Sequence, residues 1–489
     1  MRTAYTSVEN GFFRAREVWL VRERVLNARG GSYTDGGSFR FTVSNAGGMK
    51  CADKFGAPVK LAGGRHLDKA RVNPAQADSR FKREVERRAL HAFDDGGCPT
   101  MVDWAQQTLR SSTWDETAYL VTWLRDFAAK GYVEREFALD TLTLLRDRRF
   151  GLGDKKRASL LALLDESLRG LLRSVTTLAE ETGVSAGRLR PAAQLSRYQR
   201  LSWAGRAGLR GPRPGEDTLV MDAAGYPSEG DECAARWMVR AAGMGWRKLV
   251  VFGWHGGRFA ACGLGAKTDG IRIDLYGDVG DYAASGLDGA EVHIHGDAQD
   301  QVGQILKSGR LVVHGDVGQT FLYGAKGGEI YVLGSAAGRP LINAVGKPRA
   351  VINGTCLDYL AESFMAGDPL QGGGFVVLNG VTFDESGQLV ELESPYPGGN
   401  LFSLASCGAI YVRDPYGQVQ EDQLNGGVLA ELSGADWELI EPYLRENERL
   451  FGVRVDDLLT ASGDRREPRR IYRKVAVRGL DVLKETENR

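Results

Sequence analysis

The sequence predicts a right-handed parallel β-helix, a single-stranded solenoid with coils of about 19 residues, preceded by a helical domain. The main observation is an internal repeat, because five segments between residues 271 and 367 align on glycines spaced by 19, 19, 19 and 20 residues. Glycine also makes up 64 of the 489 residues, as many tight turns would require. A third observation is an apolar helical periodicity within residues 81–200.

Each repeat opens with a short strand whose side chains alternate between two faces. Stacking the repeats in register should build a buried apolar ladder on one face, and its members are Leu275, Ile294, Val313, Val332 and Ile352. The anchor glycines two residues later are expected at a corner, where positive φ or close backbone approach excludes a side chain. They are Gly277, Gly296, Gly315, Gly334 and Gly354.

The opposite strand face is too apolar to be solvated in the later repeats. Candidates there for docking a partner protein are Val312, Tyr331, Leu333 and Val351. The alternative is that helices or the C-terminal segment of the same chain cover them.

The strongest helical pattern covers residues 156–181. Apolar residues recur there at spacings of three and four, as in a heptad seam: Leu161, Leu164, Leu168, Leu171, Val175 and Leu178. Flanking leucines widen the stripe and favour a helical bundle, although Leu161–Leu178 could also join copies in a homo-oligomer. The predicted domains are an irregular glycine-rich leader (1–80), a helical domain (81–200), a linker (201–218), the repeat domain (219–390) and a C-terminal wrap with a basic tail (391–489).

Three histidines, His293, His295 and His314, form the main candidate cluster for chemistry. His295 and His314 occupy equivalent places in adjacent repeats and should stack about 4.8 Å apart. Three imidazoles could bind zinc or another borderline metal, but a stacked polar ladder without metal is the interpretation we favour.

No residue is assigned a catalytic role. Cys407 lies among small residues, and no general base is identifiable for it. Aspartates line one corner of the repeats, and turn capping explains them better than calcium, because the nine-residue repeat of calcium-binding solenoids is absent. They are Asp278, Asp281, Asp297, Asp300 and Asp316.

At these residues the sequence resembles the GXGXG domain, which forms the C-terminal part of the glutamate synthase large (alpha) subunit and one subunit of formylmethanofuran dehydrogenase. The segments that carry the resemblance are YGDVGDYAASGLDG, HGDVGQTFLYGAKGG and NGTCLDYLAESFMAGD. The similarity covers roughly residues 219–380. Residues 393–415 resemble the tail of stand-alone, archaeal-type glutamate synthase subunits, whereas Gln299 departs from the pattern where a glycine is expected.

The resemblance implies a non-catalytic scaffold or assembly subunit of a glutamate synthase-type complex. It would position a glutaminase-type partner and a flavin-dependent synthase partner, with FMN and an iron–sulfur cluster on those partners and no cofactor on this chain. The family's glutaminase nucleophile is a cysteine directly after the initiator Met, where this chain has Arg2. The alternatives are the corresponding subunit of a formylmethanofuran dehydrogenase-type complex, or an independent enzyme with a cleft between the helical domain and the repeats.

Composition excludes some classes of function and indicates a cellular location. The 63 Lys+Arg balance the 63 Asp+Glu, which argues against a general nucleic-acid binder. The sequence has no apolar run of 18 residues and no signal-peptide core, so no membrane partner is expected. The six cysteines are scattered without a C-x-x-C pair, and together these features favour a reducing, cytoplasmic location.

Overall fold

The computed structural model describes residues 72–178 and 197–478, and the backbone of four short strands within the first 52 residues. Those strands form an antiparallel sheet where the sequence shows no clear periodicity: β1 (Thr3–Glu9), β2 (Phe12–Val18), β3 (Arg40–Val43) and β4 (Met49–Ala52). The rest of the predicted leader up to residue 71 and the end of the basic tail after residue 478 lie outside the described residues.

Five helices form the helical domain: α1 (Ser79–His91), α2 (Gly97–Leu109), α3 (Trp114–Phe127), α4 (Tyr132–Asp147) and α5 (Arg157–Arg173). A π-helical turn, Ala92–Gly96, joins the first two. The start of α3 is fixed by a capping box, in which Thr113 and Glu116 satisfy each other's backbone N–H groups. One apolar stripe of each helix is buried in a shared core, as the helical periodicity predicts.

The helix predicted over 156–181 ends at Arg173 instead, because the chain then turns to run beside the first strand of the large sheet. The Leu178 N–H donates to the Arg200 carbonyl at 3.0 Å. Within the helix, Leu164, Leu168 and Leu171 are buried against the other helices. Since the domain itself covers these leucines, the seam is not free to join a second copy of the chain.

Twelve strands form one large sheet with the order β17-β20-β16-β13-β12-β11-β10-β9-β8-β7-β6-β5. The ten parallel strands are β5 (Tyr198–Ser202), β6 (Thr218–Asp222), β7 (Lys248–His255), β8 (Arg272–Asp278), β9 (Asp288–His295), β10 (Ser308–Val313), β11 (Glu329–Val332), β12 (Arg349–Ile352), β13 (Phe375–Leu378) and β16 (Ala409–Arg413). At one edge, β20 (Tyr472–Val477) pairs antiparallel with both β16 and β17 (Gly427–Glu431).

The predicted fold class, a right-handed parallel β-helix or single-stranded solenoid, is wrong. The structure is α/β-like, with one large, mostly parallel sheet that carries helices. The 19-residue period specifies the parallel register between successive strands, but residues outside the repeat decide the architecture. Three strands precede the repeats in the sheet, four strands follow them at the other edge, and helices pack on both faces.

The apolar columns are in register along the sheet. Leu275 pairs with Ile294, Ile294 with Val313, Val313 with Val332, and Val332 with Ile352. All five side chains are fully buried in one continuous core. Helix α6 (Ala234–Gly243), which links β6 to β7, packs its buried face into the same core.

The anchor glycines are required mainly by close approach. Of the five, only Gly277 has a positive φ, of 116°. At the other four, an added Cβ would lie 2.6–2.8 Å from the carbonyl oxygen of the preceding anchor glycine, closer than real Cβ atoms come. The space is used by aspartates: Asp278 Oδ1 accepts the Asp297 N–H at 2.9 Å, and Asp297 Oδ1 accepts the Asp316 N–H at 2.9 Å.

Positive φ falls instead on residues with side chains, at alternating positions later in each repeat. Thr320 and Leu322 have φ of 52° and 59°, and Arg339 and Leu341 have φ of 59° and 57° in the next repeat. The N–H of Thr320 donates forward to Gly338 and that of Leu322 donates back to Val302. The sequence does not reveal these positions, because such residues rarely adopt left-handed φ unless neighbouring structure holds them there.

A ladder of alternating charge, which we call the charge ladder, crosses the sheet near the start of the repeats. Its members occupy paired positions on β8 to β12: Arg272, Glu291, Arg310, Glu329 and Arg349. Ion pairs join Arg272 to Glu291 at 3.2 Å and Arg310 to Glu329 at 2.8 Å.

The C-terminal segment covers the later half of the opposite strand face. It contains α7 (Gly434–Phe451), α8 (Val455–Leu458), α9 (Pro468–Ile471) and the hairpin β18–β19 (Thr460–Ala461 and Asp464–Arg465), while β14–β15 (Val381–Phe383 and Leu389–Glu391) form a second hairpin beside it. Asn353 on the sheet and Asn447 on α7 exchange side-chain hydrogen bonds of 2.8 and 2.9 Å.

The four residues predicted as a docking face, Val312, Tyr331, Leu333 and Val351, are buried in the core beneath α7. Their interpretation as a docking surface is therefore wrong, because the chain itself supplies the cover. None of the helices in the described residues is long and apolar enough to cross a membrane.

Candidate functional site

A buried polar cluster lies where the end of α4 meets β8, β9 and β10. Asp147 is the last residue of α4 and belongs to the helix face that packs on the sheet. Its Oδ2 lies 2.7 Å from His295 Nδ1, and His295 Nε2 lies 3.2 Å from Asp274 Oδ1. His295 is thus held between two carboxylates, and all three residues are buried.

Further pairs extend this cluster along the interface. Arg272 donates to both oxygens of Asp274, each at 3.0 Å. Arg146 lies 2.6 Å from Asp165 and 3.4 Å from Asp147. The network therefore links α4, α5 and the sheet through charged hydrogen bonds, which are stronger than neutral ones.

Tyr276 completes the cluster on the sheet side. Its hydroxyl lies 2.6 Å from Thr143 Oγ1 on α4, and its ring stacks on His295 with centroids 4.5 Å apart. Together the hydrogen bond to α4 and the aromatic contact within the sheet set the distance between α4 and the sheet.

The charges of the cluster stabilise one another. Burial lowers the pKa of His295, but the carboxylates of Asp147 and Asp274 outweigh it and raise that pKa to about 9. Burial raises the pKa of Asp147, but the positive His295 outweighs it and holds the pKa below its usual range, and the same balance holds for Asp274. At neutral pH the cluster therefore contains a protonated His295 between ionised carboxylates.

The other two histidines differ from His295. Burial lowers the pKa of His314 to about 3 and also lowers that of His293, whose Nε2 lies 2.6 Å from Glu291. The rings of His295 and His314 are 5.0 Å apart, close to the strand spacing that predicted their stacking. Neither ring nitrogen of His314 has a hydrogen-bond partner in the described chain.

Part of the cluster has the spacing of a metal site, because Asp147, His295 and His314 each place a ligand atom within 4.8 Å of the others. His293 is not part of that group. However, both nitrogens of His295 already face carboxylates, and the rings of His295 and His314 are nearly parallel, at 21°. Lone pairs of parallel stacked rings do not converge on one point, so the arrangement suits a hydrogen-bonded network better than a metal ion.

A cleft of about 390 Å³ opens beside the cluster, between the helical domain and the sheet. Its polar lining includes Arg146, Arg149, Asp165, Tyr276 and His314. A cleft between the helices and the repeats is what the independent-enzyme alternative requires. The sequence analysis located His295 and His314 but missed Asp147. The only sequence signal for Asp147 is its acidic side chain at the C-terminal end of an apolar helix face, where the helix dipole disfavours a negative charge that has no cationic partner.

The remaining candidates from the sequence are Cys407, which does not line this cleft, and the corner aspartates, whose carboxylates accept hydrogen bonds from backbone N–H groups. The Cys407 thiol is half-buried and accepts a hydrogen bond from the Gly367 N–H at 3.0 Å. Among the corner aspartates, Asp281 Oδ1 accepts the Asp300 N–H at 3.2 Å, and Asp300 Oδ1 accepts the Gln319 N–H at 2.8 Å. These carboxylates bind backbone N–H groups of the following repeat.

The pKa of His295 predicts a loss of stability at alkaline pH. Because the folded pKa of about 9 exceeds the unfolded value of about 6.5, its contribution is complete below pH 6.5 and is lost as the pH rises through 9. We expect the free energy of unfolding to fall by about 3 kcal/mol over that range. Urea unfolding between pH 6 and pH 10 would measure it.

A matched pair of variants isolates this effect. His293→Gln should keep the alkaline loss, because the pKa of His293 is lowered and not raised. His295→Gln should abolish it. An unchanged alkaline loss in His295→Gln would show that another group titrates.

Comparison with known protein families gives a match for one part of the chain. Residues 253–446, less than half of the sequence, match the family model described as the GXGXG motif. The match begins in β7 and ends in α7, and it includes all five repeats. GXGXG domains occur in glutamate synthase-type proteins. No curated protein matches the chain significantly.

Proposed function

We propose that the chain is a cytoplasmic, non-catalytic scaffold subunit of a glutamate synthase-type complex, which forms glutamate from glutamine in nitrogen assimilation. The match of residues 253–446 to the GXGXG motif carries this proposal. The chain would hold a glutaminase-type subunit and a flavin-dependent synthase subunit at a fixed separation. FMN and the iron–sulfur cluster would belong to the partners.

The rigidity of the sheet supports this role. Ten parallel strands are paired in order, and both strand faces are buried within the chain. The network around Asp147 and His295 locks the helical domain onto the same sheet. Since interiors packed in this way deform little, surfaces at the two ends would keep a constant distance.

Purification of the tagged full chain from its native host tests the proposal. We expect a glutaminase-type protein and a flavoprotein to co-purify, and the flavin spectrum to be absent from the same chain made alone in another host. An untagged strain carried through the same steps controls for adventitious proteins. Recovery of the chain alone would contradict the proposal.

Other outcomes of the same experiment identify the alternatives. Molybdopterin-containing or formyltransferase partners would favour the relationship to formylmethanofuran dehydrogenase. A chromophore or metal retained by the isolated chain would favour an independent enzyme that uses the cleft.

A further inference from the structure

The arginine at the floor of the cleft, Arg149, has no charged partner within ion-pair distance in the part of the chain that the structure describes. It follows the end of α4, and its guanidinium makes one long hydrogen bond of 3.5 Å, from Nη2 to the carbonyl oxygen of His314. Burial lowers the pKa of Arg149. Neighbouring Arg146, by contrast, is paired with both Asp165 and Asp147.

A second arginine nearby is also without an ion-pair partner among the described residues. Arg157, at the start of α5, donates through Nη2 to the carbonyl oxygen of Arg146 at 2.5 Å. Its Nε and Nη1 are buried without a hydrogen-bond partner in the same part of the chain, and its pKa is lowered by burial and then by the charge of Arg149. Two guanidinium groups that repel each other in a buried region favour a negatively charged ligand.

Nearby aspartates compensate this charge only in part. Asp147, which already pairs with His295 and Arg146, raises the pKa of Arg149 most through its charge, and Asp297 and Asp316 raise it further. Neither lies within 4.0 Å of its guanidinium, and both bind backbone N–H groups: Asp297 Oδ1 accepts from Asp316 and Asp316 Oδ1 accepts from Ser335 at 2.8 Å. The side chain of Arg149 therefore keeps its hydrogen-bonding capacity for the cleft.

The position of Arg149 gives it access to open space. It lines the 390 Å³ cleft and two adjoining cavities of about 190 and 730 Å³. Apolar side chains form part of the cleft wall, Leu168 and Leu172 from α5 and Phe252 and Trp254 from β7. Asp165, Asp278 and Asp297 also line the cleft, but Asp165 pairs with Arg146, and Asp278 and Asp297 accept backbone N–H groups. An arginine without an ion-pair partner beside apolar side chains, in a cavity within the size range of ligand pockets, fits a molecule that is acidic at one end and apolar at the other.

We propose that the cleft binds a small organic acid, with its carboxylate on Arg149 and its apolar body against the wall of Leu168, Leu172, Phe252 and Trp254. The planar guanidinium matches a carboxylate with two parallel hydrogen bonds. The ligand would also neutralise the excess charge of Arg149 and Arg157. This inference goes beyond the scaffold role and does not depend on it.

Calorimetric titration of the full chain with benzoate and 4-phenylbutyrate tests the proposal, with benzamide as the neutral analogue and inorganic phosphate as an anion without an apolar body. We expect at least one of the two acids to bind more tightly than benzamide and phosphate. Arg149→Gln should weaken its binding about 10- to 100-fold, since it removes a charge-assisted pair. Arg149→Lys should retain part of the affinity because it keeps the charge without the planar fork.

The control variant is Arg169→Gln, which removes an exposed arginine from the mouth of the same cleft and should leave the affinity unchanged. Thermal unfolding of each variant checks folding, and Arg149→Gln should be at least as stable as the native chain because it removes a partly buried charge that has no ion-pair partner among the described residues. Absence of binding by both acids would overturn the proposal. Equal binding of benzamide, tighter binding of phosphate, or unchanged affinity in Arg149→Gln would each do the same.

Discussion

Replacing Asp147 by Asn is expected to lower the free energy of unfolding by about 3–5 kcal/mol, because it leaves buried cations without their shared carboxylate. The side chain of Asp147 is only 3% exposed and lies 2.7 Å from His295 Nδ1. Its loss removes the strongest support for the proton on His295, so the pKa of His295 should fall as well. The interface between α4 and the sheet would then lose an ion pair. The fall in unfolding free energy that His295 causes at alkaline pH should become smaller as well.

Chemical denaturation at pH 7 measures this effect, and Asp165→Asn is the matched control. Asp165 also pairs with Arg146, at 2.6 Å, but its side chain is 38% exposed. Exposed pairs contribute little, so we expect a loss of less than about 1 kcal/mol in the control. Equal losses in the two variants would contradict the assignment of Asp147 as the centre of the buried network.

Gly315→Ala is expected to destabilise the sheet by about 1–3 kcal/mol or more, because the new methyl group has no space. It would overlap Asp297 Oδ1 and lie 2.6 Å from the carbonyl oxygen of Gly296. Relief would require Asp297 to release the Asp316 N–H, which would then be unsatisfied in a buried turn. Both the steric cost and the lost hydrogen bond act at the same corner.

Gly338→Ala provides the control for Gly315→Ala. Gly338 lies in the following repeat and has no positive φ, and its added Cβ would meet only Leu357 Cβ at 4.0 Å. We expect the free energy of unfolding to stay within about 0.5 kcal/mol of the native value. If both substitutions cost the same in urea unfolding, close approach would not explain the anchor glycines.

The pairing of the repeats could be predicted because it is local and periodic. Leu275, Ile294 and Val313 lie one beside another as the 19-residue spacing requires, and the distance between the His295 and His314 rings follows from strand separation. The helical domain was also predictable, since its apolar stripes repeat at helical intervals.

The fold class and the site were not predictable to the same extent. The architecture depends on strands outside the repeats, such as β5, β20 and β17, whose pairing has no periodic signal. Asp147 and His295 are 148 residues apart in sequence, and nothing local indicates that they meet. Likewise, the sequence does not show that Arg149 has no ion-pair partner among the described residues, because this depends on the three-dimensional arrangement.

The charge ladder has a consequence for how such a protein can change in length during evolution. Removing the single repeat that contains Arg310 would bring Glu291 beside Glu329, and like charges on neighbouring strands repel. Removing the repeats of both Arg310 and Glu329 would bring Glu291 beside Arg349 and restore attraction. Gene duplications and deletions in this region should therefore be tolerated more readily in even numbers of repeats than in odd ones.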